Sequence, residues 1–477
     1  MNPTIKCDIA ARSARPCTGL ARIRAMIVAA GVCAGLVACG GGGSGGGETT
    51  STAAAVPTAV VLKVTVKDAF DAPVSGATVT GSGSAATDAQ GVAYLFVDPA
   101  AVNVNVTVSR TTFVDTLIAV PMSGNLVSTV ALTLQRATSA AGGSLASRSG
   151  ALPVVEDSAQ QMTFEIELVV VDGNSLPIEG LSQANFQLRA CAPDPAQQQV
   201  NCIRRAPLLA DAAYAPTSTA PAALQLVAAN PARPFAAGLL MDQSGSISQS
   251  DPSGARLFSA KAFLRALGAD DRALLAAFAG GPGALIPTAP MTVYPPIMDR
   301  ASAGSFFATL DGLARQVGGN TPLYDALDTL RQRVASDTSL AVGIAKAVVI
   351  FSDGADTSCA GDSACRARRA QVIQSANTDQ VRLFTIGLSN DIDIAALGEM
   401  ANQTGGAFLY ADTAEQLLPL YGSVGKLLSL GLPTYRLRWT VRAGAPGVFQ
   451  SGSSLLGRVQ VTAGATTFNV PFIVGIP

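Results

Sequence analysis

The chain has 477 residues, enough for two to four domains, and is 48% hydrophobic but only 5% aromatic, so its cores must be built largely from Ala, Val and Leu. It contains no histidine, which removes Ser–His and Cys–His catalytic pairs and the commonest transition-metal ligand. The formal net charge is −1 and no basic run stands out, which argues against nucleic acid as a partner.

The first segment reads as an export signal. Lys6, Arg12, Arg15, Arg22 and Arg24 precede an unbroken apolar run from Ala25 to Ala38, short for a bilayer span and right for a signal's apolar stretch. The run ends in Leu36-Val37-Ala38-Cys39, which resembles the lipobox of bacterial lipoproteins. That resemblance implies removal of residues 1–38, lipidation of Cys39, and a protein held at the cell envelope. A plain secretory signal cut near Ala38 is the alternative. Gly40, rather than Asp, after the cysteine points by resemblance to enterobacterial sorting to the outer membrane. Residues 39–57 are a Gly/Ser-rich tether suited to holding a domain off a surface. Without residues 1–38 the chain carries 27 basic and 32 acidic residues, a net charge of −5. No other apolar run reaches transmembrane length.

From 58 to 136 the pattern is β. Val61–Val66 and Val102–Val108 alternate, and Asp71-Ala-Pro73-Val-Ser-Gly76 and Thr87-Asp88-Ala-Gln-Gly91 are turn sequences. The segment resembles bacterial immunoglobulin-like or carboxypeptidase-regulatory-like β domains, a likeness that implies a sandwich and no activity. Residues 137–158 are Ala/Ser/Gly-rich and read as a second linker. Strands return in 159–233, with Phe164–Val171 and Phe186–Leu188, and again in 432–477, with Tyr435–Val441, Gly457–Val461 and Phe468–Val474. Each set is short for a stable sandwich, so the two are expected to pair into one β module with the central domain inserted. Asp172…Pro177 repeats the spacing of Asp68…Pro73, which reads as two similar hairpin corners.

The centre, 234–431, alternates apolar strands with helical patterns. Strands are expected at Phe235–Met241, Arg272–Phe278, Ala345–Phe351, Val381–Leu388 and Gly406–Tyr410. Helices are expected at Ala255–Leu267, Thr321–Val334, Ile394–Ala401 and Ala414–Leu430. Continuous apolar strands between helices predict an α/β fold, a doubly wound, mostly parallel sheet covered on both faces, flanked here by all-β sandwich-like modules. Ligands of such sheets bind at the carboxyl ends of strands.

Three strand ends carry oxygen-bearing side chains: Asp242-Gln-Ser244-Gly-Ser246, Gly318-Gly-Asn-Thr321-Pro-Leu-Tyr-Asp, and Ser352-Asp353-Gly354. Alone, each is an ordinary turn or, for Thr321-Pro322, a helix start. Together they form an all-oxygen set suited to a hard cation. In identity and order the set resembles the metal-ion-dependent adhesion site of von Willebrand factor type A domains. The resemblance implies a Rossmann-like domain that binds Mg2+ (or Mn2+ or Ca2+) through Asp242, Ser244, Ser246, Thr321 and Asp353. It also implies a protein partner whose acidic side chain completes the coordination. The ligands are expected at a surface rim. Asp356 has two readings, tuning the metal or solvating its loop, the second preferred, and Asp391 and Asp393 read as charges at a helix N-terminus.

Cys7, Cys17 and Cys33 leave with the signal. Cys191 with Cys202, and Cys359 with Cys365, form two close pairs, which in an oxidising envelope suggests two disulfides. A four-cysteine zinc site is the rival, but the paired C-x2-C spacing is missing. Catalysis finds no support: Gly422-Ser-Val-Gly-Lys426 lacks the residues of a phosphate loop, and no G-x-S-x-G elbow occurs. The expectation is a lipid-anchored, metal-dependent binding protein and not an enzyme. A structural lipoprotein whose metal only stabilises the fold is the alternative, and a metal-assisted hydrolase a remote third.

Overall fold

A computed structural model describes residues 60–477 apart from positions 70, 112, 123, 137–141, 147–152, 190–202, 205–210, 354, 389–392, 412–413 and 430. The export signal, Cys39, Asp391 and the Cys191 and Cys202 pair lie outside the described residues.

Strand Val60–Asp68 alternates buried and half-buried residues along its length. It pairs antiparallel with Val92–Val97 and parallel with Val127–Leu134. A second sheet runs in the order Ser84–Ala86, Thr78–Thr80, Asn103–Ser109, Thr116–Pro121. Both sheets bury their apolar faces in one core, with Leu62, Val64 and Leu132 from the first and Val79 and Val106 from the second. The two Asp…Pro corners are alike. Asp68 accepts the backbone N–H of Ala72 at 2.9 Å and Asp172 that of Leu176 at 2.9 Å, while Pro73 and Pro177 bridge back to Lys67 and Val171.

The segment read as a second linker contains a strand, β1 (Gly142–Ala146). It lies between β2 (Gln161–Val171) and the last strand of the central domain, antiparallel to both. Its Gly-Gly-Ser-Leu-Ala text lacks the β-branched residues that mark strands. Space explains the composition: a Cβ on Gly143 would come within 2.8 Å of Phe468 and 2.9 Å of Val470.

In the central domain the strands are β3 (Phe235–Asp242), β4 (Arg272–Phe278), β5 (Met291–Asp299), β6 (Ala345–Ser352), β7 (Val381–Leu388) and β8 (Ala407–Ala411). They take the order β8-β7-β6-β3-β4-β5, all parallel except β5. Besides the single turn Ile247–Ser250, the helices are α1 (Ala255–Arg265), α2 (Phe306–Leu313), α3 (Leu323–Ala335), α4 (Asp362–Thr378), α5 (Ile394–Gln403) and α6 (Ala414–Leu428). One face of the sheet, with Leu239, Val349 and Ile386, packs on α1, α2 and α6. The other, with Leu240, Ile350 and Leu383, packs on α3, α4 and α5. Cover on both faces is why these strands read as continuous apolar runs. The pattern does not reveal β5, which is broken by Pro295-Pro296, or α4, where only Val372, Ile373 and Ala376 are buried.

The last strands are β9 (Thr434–Ala443), β10 (Ser454–Ala463) and β11 (Thr466–Gly475). β2 pairs with β9 from Gln161↔Arg442 to Leu168↔Tyr435, and Phe186–Leu188 pairs with β10. Strands from before and after the central domain thus share one module, whose core stacks Phe164 on Trp439 and packs it tilted against Phe472. Through β1 its main sheet continues into that of the central domain, giving twelve strands in all.

Candidate metal centre

Asp242 is the last residue of β3, whose eight residues are all buried. Its neighbours therefore come from the ends of adjacent strands. Ser352, at the end of β6, donates its hydroxyl to Asp242 Oδ2 at 2.8 Å, and the Ser244 N–H donates to Oδ1 at 2.8 Å. Ser246 lies 3.2 Å from Ser244, oxygen to oxygen, and donates to Asp353 Oδ1 at 2.8 Å. Four of the five expected ligands are brought together by these contacts: Asp242, Ser244, Ser246 and Asp353.

Thr321 sits in a loop bonded to both of the others. Gly245 N–H donates to Gly319 O at 3.0 Å, and Gly318 N–H to Gln243 O at 2.8 Å. On the other side, Thr321 N–H donates to Thr357 Oγ1 at 2.9 Å and Thr357 N–H to Thr321 O at 3.0 Å. The helix after it begins at Leu323, with Pro322 and not Thr321 at the cap position and no side-chain capping bond. Asp356 takes that role from across the site. Its Oδ2 accepts the Tyr324 N–H at 2.9 Å and its Oδ1 the Ser358 N–H at 2.8 Å, so it binds two segments together besides solvating its own turn. Asp393 caps α5 by accepting the Ala396 N–H, as a charge at a helix start should.

The rim expectation needs correcting. Asp242, Ser244, Thr321 and Asp353 are buried, and only Ser246 is exposed. The reason is the fold: Asp242 and Asp353 end or follow strands covered on both faces, and Thr321 lies not at a strand end, as the sequence suggested, but in the loop between α2 and α3 that is bonded across them. Burial, reinforced by the nearby Asp353 charge, pushes the Asp242 carboxyl up to about 6 against the bonds from Ser244 and Ser352. The donors are carboxylate and hydroxyl oxygens throughout, which is the chemistry a hard divalent cation requires.

Three supporting residues were not legible in advance. Ser250, one helical turn after Ser246, donates to Asp353 Oδ2. Arg256 donates to Gln243 Oε1 at 3.0 Å and to Asp251 Oδ2 at 2.8 Å. Asp251 also accepts the N–H groups of Ala255 and Arg256 at the start of α1. An Asp-Pro-Ser-Gly turn before a helix is the one signal that could have marked Asp251.

Cys359 and Cys365 are joined, their Cα atoms 5.3 Å apart. The link ties the loop after Asp353 to the first turn of α4. Closing so short a ring contributes about 2 kcal/mol in the chain-entropy account. Replacing both cysteines with serine should lower the urea-unfolding free energy by about that much. An unchanged midpoint would mean that the loop is held by the Thr357 and Asp356 bonds alone.

The family profile of the von Willebrand factor type A domain matches residues 238–421. Among solved structures the chain is similar to a von Willebrand factor type A protein from Catenulispora acidiphila, at 13% identity over 53% of this chain and 72% of that one, with a TM-score of 0.34. It is also similar to the manganese-loaded TRAP protein of Plasmodium vivax, at 15% identity over 53% and 96%, with a TM-score of 0.32. A third is proximal thread matrix protein 1 from the mussel byssus with a zinc-occupied MIDAS motif, at 15% identity over 42% and 49%, with a TM-score of 0.33. No curated protein matches the chain.

Proposed function

We propose that the von Willebrand factor type A domain present at residues 238–421 serves as a metal-dependent protein-binding module, on a chain held at the outer membrane by lipid on Cys39. Asp242, Ser244, Ser246, Thr321 and Asp353 would hold one divalent cation, Mg2+ or in its place Mn2+ or Ca2+. Bound there, the cation supplies an electrophilic contact for a carboxylate from outside. The chain's own part is to hold two carboxylates and three hydroxyls in one place and to present Ser246 at the opening. The supporting observation is the 2.8 Å bond from Ser246 to Asp353, which joins the first ligand loop to the third. The role is adhesion or assembly at the envelope rather than catalysis.

The deciding experiment captures envelope proteins on the immobilised chain in Mg2+ and in chelator. Proteins retained only in Mg2+, and lost with Thr321→Ala, support the reading. Retention indifferent to chelator would transfer the site to a purely structural role. For the anchor, Cys39→Ser should abolish palmitate labelling and move the protein out of the membrane fraction. Equal membrane retention of the variant would remove the lipid from the account.

A further inference from the structure

The walls of the centre differ in chemistry. On one side, the loop from Asp353 to Asp362 carries three carboxylates, with Asp356 half-buried and Asp362 exposed. On the other, the hairpin joining β4 to β5 is free of charge: from Ala279 to Met298 there is no Asp, Glu, Lys or Arg. This hairpin is fastened to the Thr321 loop. Gly280 and Asn320 exchange two backbone bonds, at 2.9 and 2.7 Å, and Ala279 N–H closes the hairpin on Pro290 O at 3.1 Å. The fit leaves no room for side chains, since a Cβ on Gly318 would overlap the Gly283 carbonyl oxygen.

Leu285 stands at the tip of this wall. Its neighbour Ile286 is 6% exposed and packs into the core, which turns Leu285 outward, 55% exposed. Leu285 Cγ lies 3.6 Å from where a Cβ of Gly318 would be, so its side chain covers that glycine. Gly318 in turn bonds the carbonyl of Gln243, the residue after Asp242. An apolar side chain is therefore presented on a braced, uncharged wall within two residue contacts of the first metal ligand.

We infer that the partner engages this centre through an acidic residue with an apolar neighbour, the carboxylate directed to the centre and the apolar side chain seated on Leu285. The inference rests on the proposed function, because the carboxylate is its first half. Charge supports the second half. The uncharged wall offers no ion-pair partner to a charged flank, whereas the Asp356 and Asp362 wall repels a second acid. A braced wall also loses little freedom when covered, so contact with it is converted into affinity.

The test uses blocked five-residue peptides with a central glutamate, flanked either by leucines or by glycines, titrated into the full chain loaded with Mn2+. Burying one leucine against another should make the leucine-flanked peptide bind roughly tenfold more tightly. Leu285→Ser and Leu285→Asp should erase that preference. Leu285 is exposed, so both variants should fold and should bind Mn2+ without peptide as the wild type does. Equal binding of the two peptides, or a preference that survives in the variants, overturns the inference and leaves the metal-dependent reading standing. If neither peptide binds the Mn2+-loaded wild type, the reading beneath it fails as well.

Discussion

Replacing Arg256 with methionine is expected to destabilise the domain by about 3–5 kcal/mol, because it strands a buried carboxylate. The Arg256 side chain is 2% exposed and that of Asp251 is 0%, so neither charge can turn to solvent for compensation. Arg256 also holds Gln243, which stands between the proposed ligands Asp242 and Ser244. The variant should therefore lose affinity for divalent cations along with stability. Adding Asp251→Asn to Arg256→Met removes the stranded charge and should recover at least half of the loss, since an amide can still accept an N–H at the start of α1. Urea unfolding of the two variants gives the answer. A cost below about 1 kcal/mol for Arg256→Met would mean that water or a rearranged loop reaches Asp251.

The second large effect is one of sign. Asp242 is fully buried and its carboxyl is raised to about 6 from 3.8. A raised acid contributes stability that is present below the unfolded pKa and lost as the pH rises through the folded one. At pH 7, in chelator, the ionised Asp242 should thus cost the fold about 3 kcal/mol relative to the fully protonated form. Asp242→Asn keeps an acceptor for the Ser244 N–H and removes the charge. In chelator at pH 7 to 8 the variant should be more stable than the wild type by about 2–3 kcal/mol, with the gap closing as the pH falls to 4. Added Mg2+ should close that gap. A cation at a hundredfold excess over Kd stabilises the wild type by about 2.7 kcal/mol and should leave the variant unchanged. Melting curves across pH, with and without metal, test both halves. A variant less stable than the wild type in chelator at pH 8 would show that Asp242 is not held against its charge.

The sheet and the ligand loops were legible in the sequence because one physical cause produced both signals. Strands covered on both faces must be apolar throughout, so Phe235–Met241 and Ala345–Phe351 stand out, and a polar residue at such a strand's end is conspicuous. What could not be read depends on partners distant in sequence. The strand position 143 holds glycine, a poor strand former, because Phe468 and Val470 leave no room for a side chain. Asp356 serves the start of α3 because its loop folds over Tyr324. The helix α4 carries its charges on pairs such as Arg368 with Asp325 and Arg369 with Glu399, and so shows little apolar periodicity. Burial of the ligands was missed for a related reason. Sequence marks where a strand ends, but not how high the surrounding loops rise above that end.

The strand β1 has a mechanical consequence. Domains joined by a linker can swing, and relative motion is their usual behaviour. Here the join is a strand hydrogen-bonded along both edges, to Leu168–Val171 on one side and Ala407–Leu409 on the other. Tension applied through the chain before Gly142 and directed along the strand would load these bonds together in shear, instead of opening them singly as peeling an edge strand would. Torque on the β module reaches the central domain through the same pleated surface. A pull on the central domain is therefore passed into the β module as into a stiff lever, with the five-residue segment Gly142–Ala146 as its splice.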